Sequence, residues 1–131
     1  MTETLMMLIT KCIITLKSEN QKGAKKTMSK IIAVASQKGG VGKSTTCRNI
    51  GNILVKKGYK VLAVDCDNQS SMTDCFGIES SEKLETTLYH LMMDVINDKD
   101  LPPKESYIIK REGVDIIPSS IELSAIEINL V

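Results

Sequence analysis

The chain predicts an α/β fold, a mostly parallel sheet with flanking helices, on three observations. Two short apolar runs, Ile31-Ile32-Ala33-Val34-Ala35 and Val61-Leu62-Ala63-Val64, have the length and composition of buried strands. Between them Cys47, Ile50, Gly51 and Leu54 fall at helical spacing. The first run leads directly into Ser36-Gln37-Lys38-Gly39-Gly40-Val41-Gly42-Lys43-Ser44-Thr45-Thr46. Strand, glycine loop and helix in that order are the context a phosphate-binding loop requires.

The loop residues carry that chemistry individually. Gly39, Gly40 and Gly42 lack a Cβ, so the backbone can turn successive N–H groups towards phosphate oxygens. The helix expected from Lys43 aims its positive dipole end at the same place. Lys43 would neutralise charge on the β- and γ-phosphates, and the Ser44 hydroxyl would sit on Mg²⁺. The second strand ends in Asp65-Cys66-Asp67-Asn68-Gln69, and carboxylates at the carboxyl end of such a strand lie on the edge where open α/β sheets bind ligands. Alone, that aspartate pair is better read as a solvated loop, and it gains weight from standing one strand downstream of the glycine loop.

Composition narrows the field rather than filling it. With 131 residues, the chain suits one domain with a modest core. A net charge of +1 gives no global pull towards nucleic acid or anionic lipid. Cys12, Cys47, Cys66 and Cys75 include no C-x-x-C pair, which reads as a reduced, cytosolic protein. His90 stands alone and reads as a satisfied or helix-surface histidine, not a ligand.

Residues 1–27 differ from the rest. Leu5, Leu8, Ile9, Cys12, Ile13 and Leu16 form an i, i+3, i+4, i+7 stripe that predicts an amphipathic helix, followed by a linker over 18–27. The stripe is too short to span a bilayer, and its basic residues follow the apolar run, unlike a secretory signal. The segment is expected to be an extension with no role in the nucleotide site, the alternative being a docking helix for a partner or membrane surface, and the domain to occupy residues 28–131. Within it, the helix from Lys43 should run to about Lys57, with Gly58 in the turn beyond. A further helix is expected over 84–96, a short edge strand at 107–109 and a strand at 114–118. For 121–131 the periodicity is ambiguous, and Ser119 or Ser120 as N-cap tips it towards helix.

The loop lacks the usual first glycine, having Gln37 there, and carries Lys38 before the double glycine. That form, K-G-G-V-G-K-S-T at 38–45, resembles the deviant Walker A motif of the ParA/MinD family of ATPases. Asp65, Asp67, Gln69 and Thr73 match the family's second motif, from which Asn68, Ser70, Ser71 and Met72 depart. The segment at 113–124 is also similar, and Gln69 points to the ParA/Soj branch over MinD. The resemblance implies a P-loop NTPase-type fold and an ATPase that forms an ATP-dependent homodimer, serves chromosome or plasmid partitioning in the cytoplasm and is stimulated by a ParB-like partner. It implies ATP and Mg²⁺ as cofactors, bound through Lys38, Gly39, Gly40, Val41, Gly42, Lys43, Ser44 and Thr45. Lys38 would reach the partner's nucleotide. Lys43 and Asp67 would serve hydrolysis, with Ser44 on the metal and Asp65 in its outer surroundings. Nothing in the chain matches the family's Walker B strand or its later DNA-binding elements, so the expected sheet is truncated, DNA contact is not expected from these residues, and neither is membrane association. Without that strand, residues 31–35 are expected to expose unpaired backbone. The alternatives are a MinD-like cell-division positioner and a non-catalytic nucleotide-binding fragment. The nitrogenase iron protein shares the loop but needs cluster-ligating cysteines further downstream than Cys75.

Overall fold

The computed structural model describes residues 11–18, 29–79 and 84–129. They form one five-stranded sheet with helices packed against it. In chain order the elements are β1 (Lys11–Ser18), β2 (Lys30–Ala35), α1 (Lys43–Lys56), β3 (Tyr59–Asp65), α2 (Ser71–Cys75), α3 (Leu88–Ile96), β4 (Ile109–Arg111), β5 (Val114–Ile117) and α4 (Ser124–Asn129). The strand order is β2-β1-β3-β5-β4. Because β1 is antiparallel to both β2 and β3, and β3 is parallel to β5, the strands β2, β3 and β5 all point the same way, whereas β1 and β4 oppose them. The α/β class and the flanking helices are as the sequence predicts.

β1 corrects the amphipathic-helix expectation where the two overlap. Residues 11–16 are strand, and Leu5, Leu8 and Ile9 lie outside the described residues, as does the expected linker after Ser18. The β-branched run Ile13-Ile14-Thr15 fits an extended backbone at least as well as a helix, and a place between two strands decides the matter. Ile14 pairs with Ile32 on one side and Ala63 on the other, and its side chain is fully buried. It joins Cys47, Val61, Ala63, Met72, Phe76, Ile78, Val114 and Ile116 in the core. β2 accordingly has one paired edge, and its other edge carries no strand among the described residues; Ile31 there is 71% exposed.

The remaining elements follow local signals. α1 begins at Gly42, whose φ of 84° only glycine takes without strain, and ends ahead of Gly58, whose N–H donates to the Val55 carbonyl. Gly51 lets α1 lie close to the sheet, since a Cβ there would meet Val114 Cγ2 at 3.4 Å. α3 starts four residues later than the stripe suggests, because Thr87 and His90 form a capping box, with the Thr87 N–H donating to His90 Nδ1 at 3.2 Å. His90 is thus satisfied within its own helix. The edge strand lies two residues beyond its expected position, and α4 follows a short 3-10 turn that starts after Ser120. Among the described residues, no helix is long and apolar enough to cross a membrane.

Candidate functional site

Two loops leave the same edge of the sheet. The register sets Lys11 level with Ala35 and Cys12 level with Asp65, so β2 and β3 end side by side with one strand between them. Two inter-strand spacings put their ends about 10 Å apart.

The loop after β2 is open. Residues 37–42 are exposed, Gly40 and Gly42 have φ of 70° and 84°, and a Cβ built on Gly39, Gly40 or Gly42 would meet no atom within 4 Å. The Lys43 ammonium donates to the Lys38 carbonyl at 3.0 Å, and the Lys38 N–H donates to Ser36 Oγ at 3.2 Å. The lysine therefore arches back over the loop instead of extending into solvent. Ser44 is half-buried in the first turn of α1, while Lys38, Val41 and Thr45 are exposed. This donor set fits a polyphosphate: an uncovered glycine backbone, a cation held over it and a hydroxyl at its helix end. Among the described residues, no group of three His, Cys, Asp or Glu side chains could hold a metal. A magnesium ion here would rely on Ser44, water and the nucleotide's own oxygens.

The loop after β3 is closed on itself. Asp65 is fully buried; its Oδ1 accepts the Asp67 N–H at 3.1 Å, and its Oδ2 accepts the Thr73 N–H at 2.8 Å and the Thr73 hydroxyl at 2.6 Å. Burial pushes its carboxyl above the usual carboxylate range, against the opposing pull of the Thr73 donors. Asp67, 7% exposed, accepts the Gln69 N–H at 3.0 Å and the Ser71 hydroxyl at 3.3 Å. Thr73 Oγ1 in turn accepts the Ser119 N–H at 3.1 Å, tying the loop to the end of β5. Asp65 thus organises the loop and the start of α2, while Asp67 lies nearer the surface. Beside them is a cavity of about 490 Å³ of mixed lining, which includes Gln69, Thr73, Leu84, Ser119 and Ile121 but none of residues 38–45.

Thr73 matches a family motif that gives it no task, and Ser71 departs from that motif, yet each holds one aspartate. A hydroxyl residue four or eight positions after a buried carboxylate is a weak signal until the turn between them is known. The Arg48–Glu112 ion pair, joined by the Asn52 side-chain amide, has no local signal in the sequence; it clamps α1 to the turn between β4 and β5.

Residues 29–131 match a family model described as an AAA domain. Among curated proteins, the chain is similar to the sporulation initiation inhibitor protein Soj of Bacillus subtilis, 40% identical over 104 residues, which covers 79% of this chain and 39% of that protein. It is also similar to the chromosome partitioning protein ParA of Caulobacter vibrioides, 38% identical over 103 residues, covering 77% of this chain and 36% of that one. The chain spans well under half the length of these curated relatives.

Proposed function

Since the chain belongs to the AAA-domain family and is similar over most of its length to the sporulation initiation inhibitor Soj and the chromosome partitioning protein ParA, we propose that it binds ATP with Mg²⁺ and works as a ParA/Soj-like, ATP-dependent dimerisation switch in chromosome or plasmid partitioning. The observation that carries this reading is the uncovered glycine loop with the Lys43 ammonium drawn over it, level with the aspartate loop one strand away. Backbone N–H groups from Gly39 to Ser44 hold phosphate oxygens, Lys43 balances their charge, Ser44 faces the metal, and Val41 and Thr45 complete the loop. Bound ATP supplies the phosphoryl group and its Mg²⁺ the counter-charge. Lys38, exposed at the loop's outer side, serves the nucleotide of a second copy in the dimer, and a ParB-like partner stimulates release in the cytoplasm. The reading is tested by calorimetry. Lys43→Ala should weaken ATP binding at least about 100-fold, because phosphate charge is left uncompensated; unchanged affinity would refute the site.

A second reading, nucleotide binding with background turnover, is favoured by one feature. Both Asp67 oxygens are engaged within its own loop, by Gln69 N–H and the Ser71 hydroxyl, which leaves the carboxylate less able to orient water. Phosphate release by the purified chain, measured against Asp67→Ala, separates the two: robust hydrolysis that vanishes in the variant excludes the binding-only reading.

A further inference from the structure

β1 is placed unlike any other strand. It lies before residue 29, where the family match begins, yet it fills the gap between two strands of the matched region. It pairs with β2 from Lys11 to Leu16 and with β3 from Cys12 to Ser18, antiparallel to both. It is the sole strand paired with β2 among the described residues. The strand that carries the phosphate loop is therefore joined to the rest of the sheet through β1. Ile14, fully buried between Ile32 and Ala63, anchors it. Its connection to β2, residues 19 to 29, is longer than the roughly two to five residues of a tight hairpin.

We propose that the gap between β2 and β3 is a strand-binding groove whose occupant is the chain's own residues 11–18, and that its occupancy brings the phosphate loop and the aspartate loop into one site. The linkage to ligand rests on the nucleotide reading above. If the occupied groove is the nucleotide-competent form, ATP and β1 must strengthen each other's binding by the same factor, since linkage is reciprocal. An empty groove leaves β2 without its hydrogen-bonded neighbour and frees the loop from its position level with Asp65.

Hydrogen exchange on the full chain, with and without ATP and Mg²⁺, reads this directly. ATP is expected to slow exchange at residues 39–45 and also at 11–18 and 30–35, the strand amides by about 5-fold to 150-fold, the usual range of coupling. Protection of 39–45 with no change at 11–18 would overturn the proposal and leave nucleotide binding standing. Protection at neither place would remove the nucleotide reading and the linkage together. Strand protection that rises with protein concentration would assign the groove to a second copy and so overturn the intramolecular occupant. In Ile14→Asp, a charge at a buried position should expel the strand and weaken ATP binding by a comparable factor. A synthetic peptide of residues 9–20 with Ile14 intact should restore it. Should that variant fail to fold as a whole, the parent exchange experiment still decides.

Discussion

The phosphate loop and the aspartate loop lie level at one edge of the sheet, yet the first is shaped by backbone freedom and the second by side-chain bonds. From Gln37 to Gly42 the chain is exposed and turns through left-handed glycines, with the Lys43 ammonium resting on a carbonyl of the same loop. From Asp65 to Thr73, two buried carboxylates accept five donors, and Thr73 carries the network on to Ser119. Such an aspartate loop holds its shape in the absence of ligand, whereas an open loop gains its main interactions when phosphate arrives. Substitutions in the aspartate loop should therefore register in stability, and those in the phosphate loop in binding.

Within these two loops the largest stability effect expected is for Thr73→Val. It removes a donor to a buried carboxylate and leaves the Ser119 N–H without its acceptor, a loss of about 3 kcal/mol. Urea unfolding measures it, and a cost below about 1 kcal/mol would erase the contrast between the two loops.

Asp65 gives the contrast a pH dependence. Its carboxyl, raised by burial, favours the protonated form when folded, so between the unfolded pKa of about 4 and the folded one the native state binds more protons than the unfolded chain. Its contribution to stability is then highest at the acid end of that window and falls as pH rises through it. Glu112, held below its usual range first by the Arg48 hydrogen bond, acts in the opposite sense: its contribution is present at higher pH and lost as pH falls. Asp65→Asn isolates the first effect, because Glu112 is common to both proteins. The stability of the variant relative to the parent should rise with pH from about 4 upwards, whatever constant offset the lost acceptor adds. A flat or falling difference would show that the buried carboxyl is better stabilised than its surroundings suggest.

Gly42→Ala should cost only about 1 kcal/mol in stability, for a left-handed alanine with no atom near its Cβ, while lowering ATP affinity more than that strain alone predicts. Thermal melting and nucleotide titration on the same samples check the split. Smallest of all in stability is Lys38→Ala, expected within about 0.5 kcal/mol of the parent because the residue is exposed. Its effect should fall on ATP-dependent dimers, and equal light scattering by the variant and the parent would end the proposed role in the partner's site.

Much of this was legible locally. The glycine loop, the runs that became β2 and β3, and the spacing that became α1 and α3 are signals contained within a dozen residues. The open half of the site was readable for the same reason, since its chemistry lies in consecutive residues. What escaped depends on distant partners. The stripe around Cys12, Ile13 and Leu16 satisfies a helix as a string of letters, and only strands ending at Ala35 and Asp65 make residues 11–18 a strand. Thr73 reads as an ordinary short-helix residue until Asp65 is folded back onto it, and Glu112 meets Arg48 across 64 positions.

The position of β1 also orders the making of the protein. β1 and β2 have both been synthesised by residue 35, and their antiparallel pairing requires no later part of the chain. β3, the other neighbour of β1, is finished at residue 65, and β5 at residue 117. A growing chain can thus pair the two strands at one side of its sheet before β3, β4 and β5 join them, with local pairing preceding distant pairing. During that interval one edge of β1 is open, as is the outer edge of β2, so neighbouring chains on one messenger would meet through these strands.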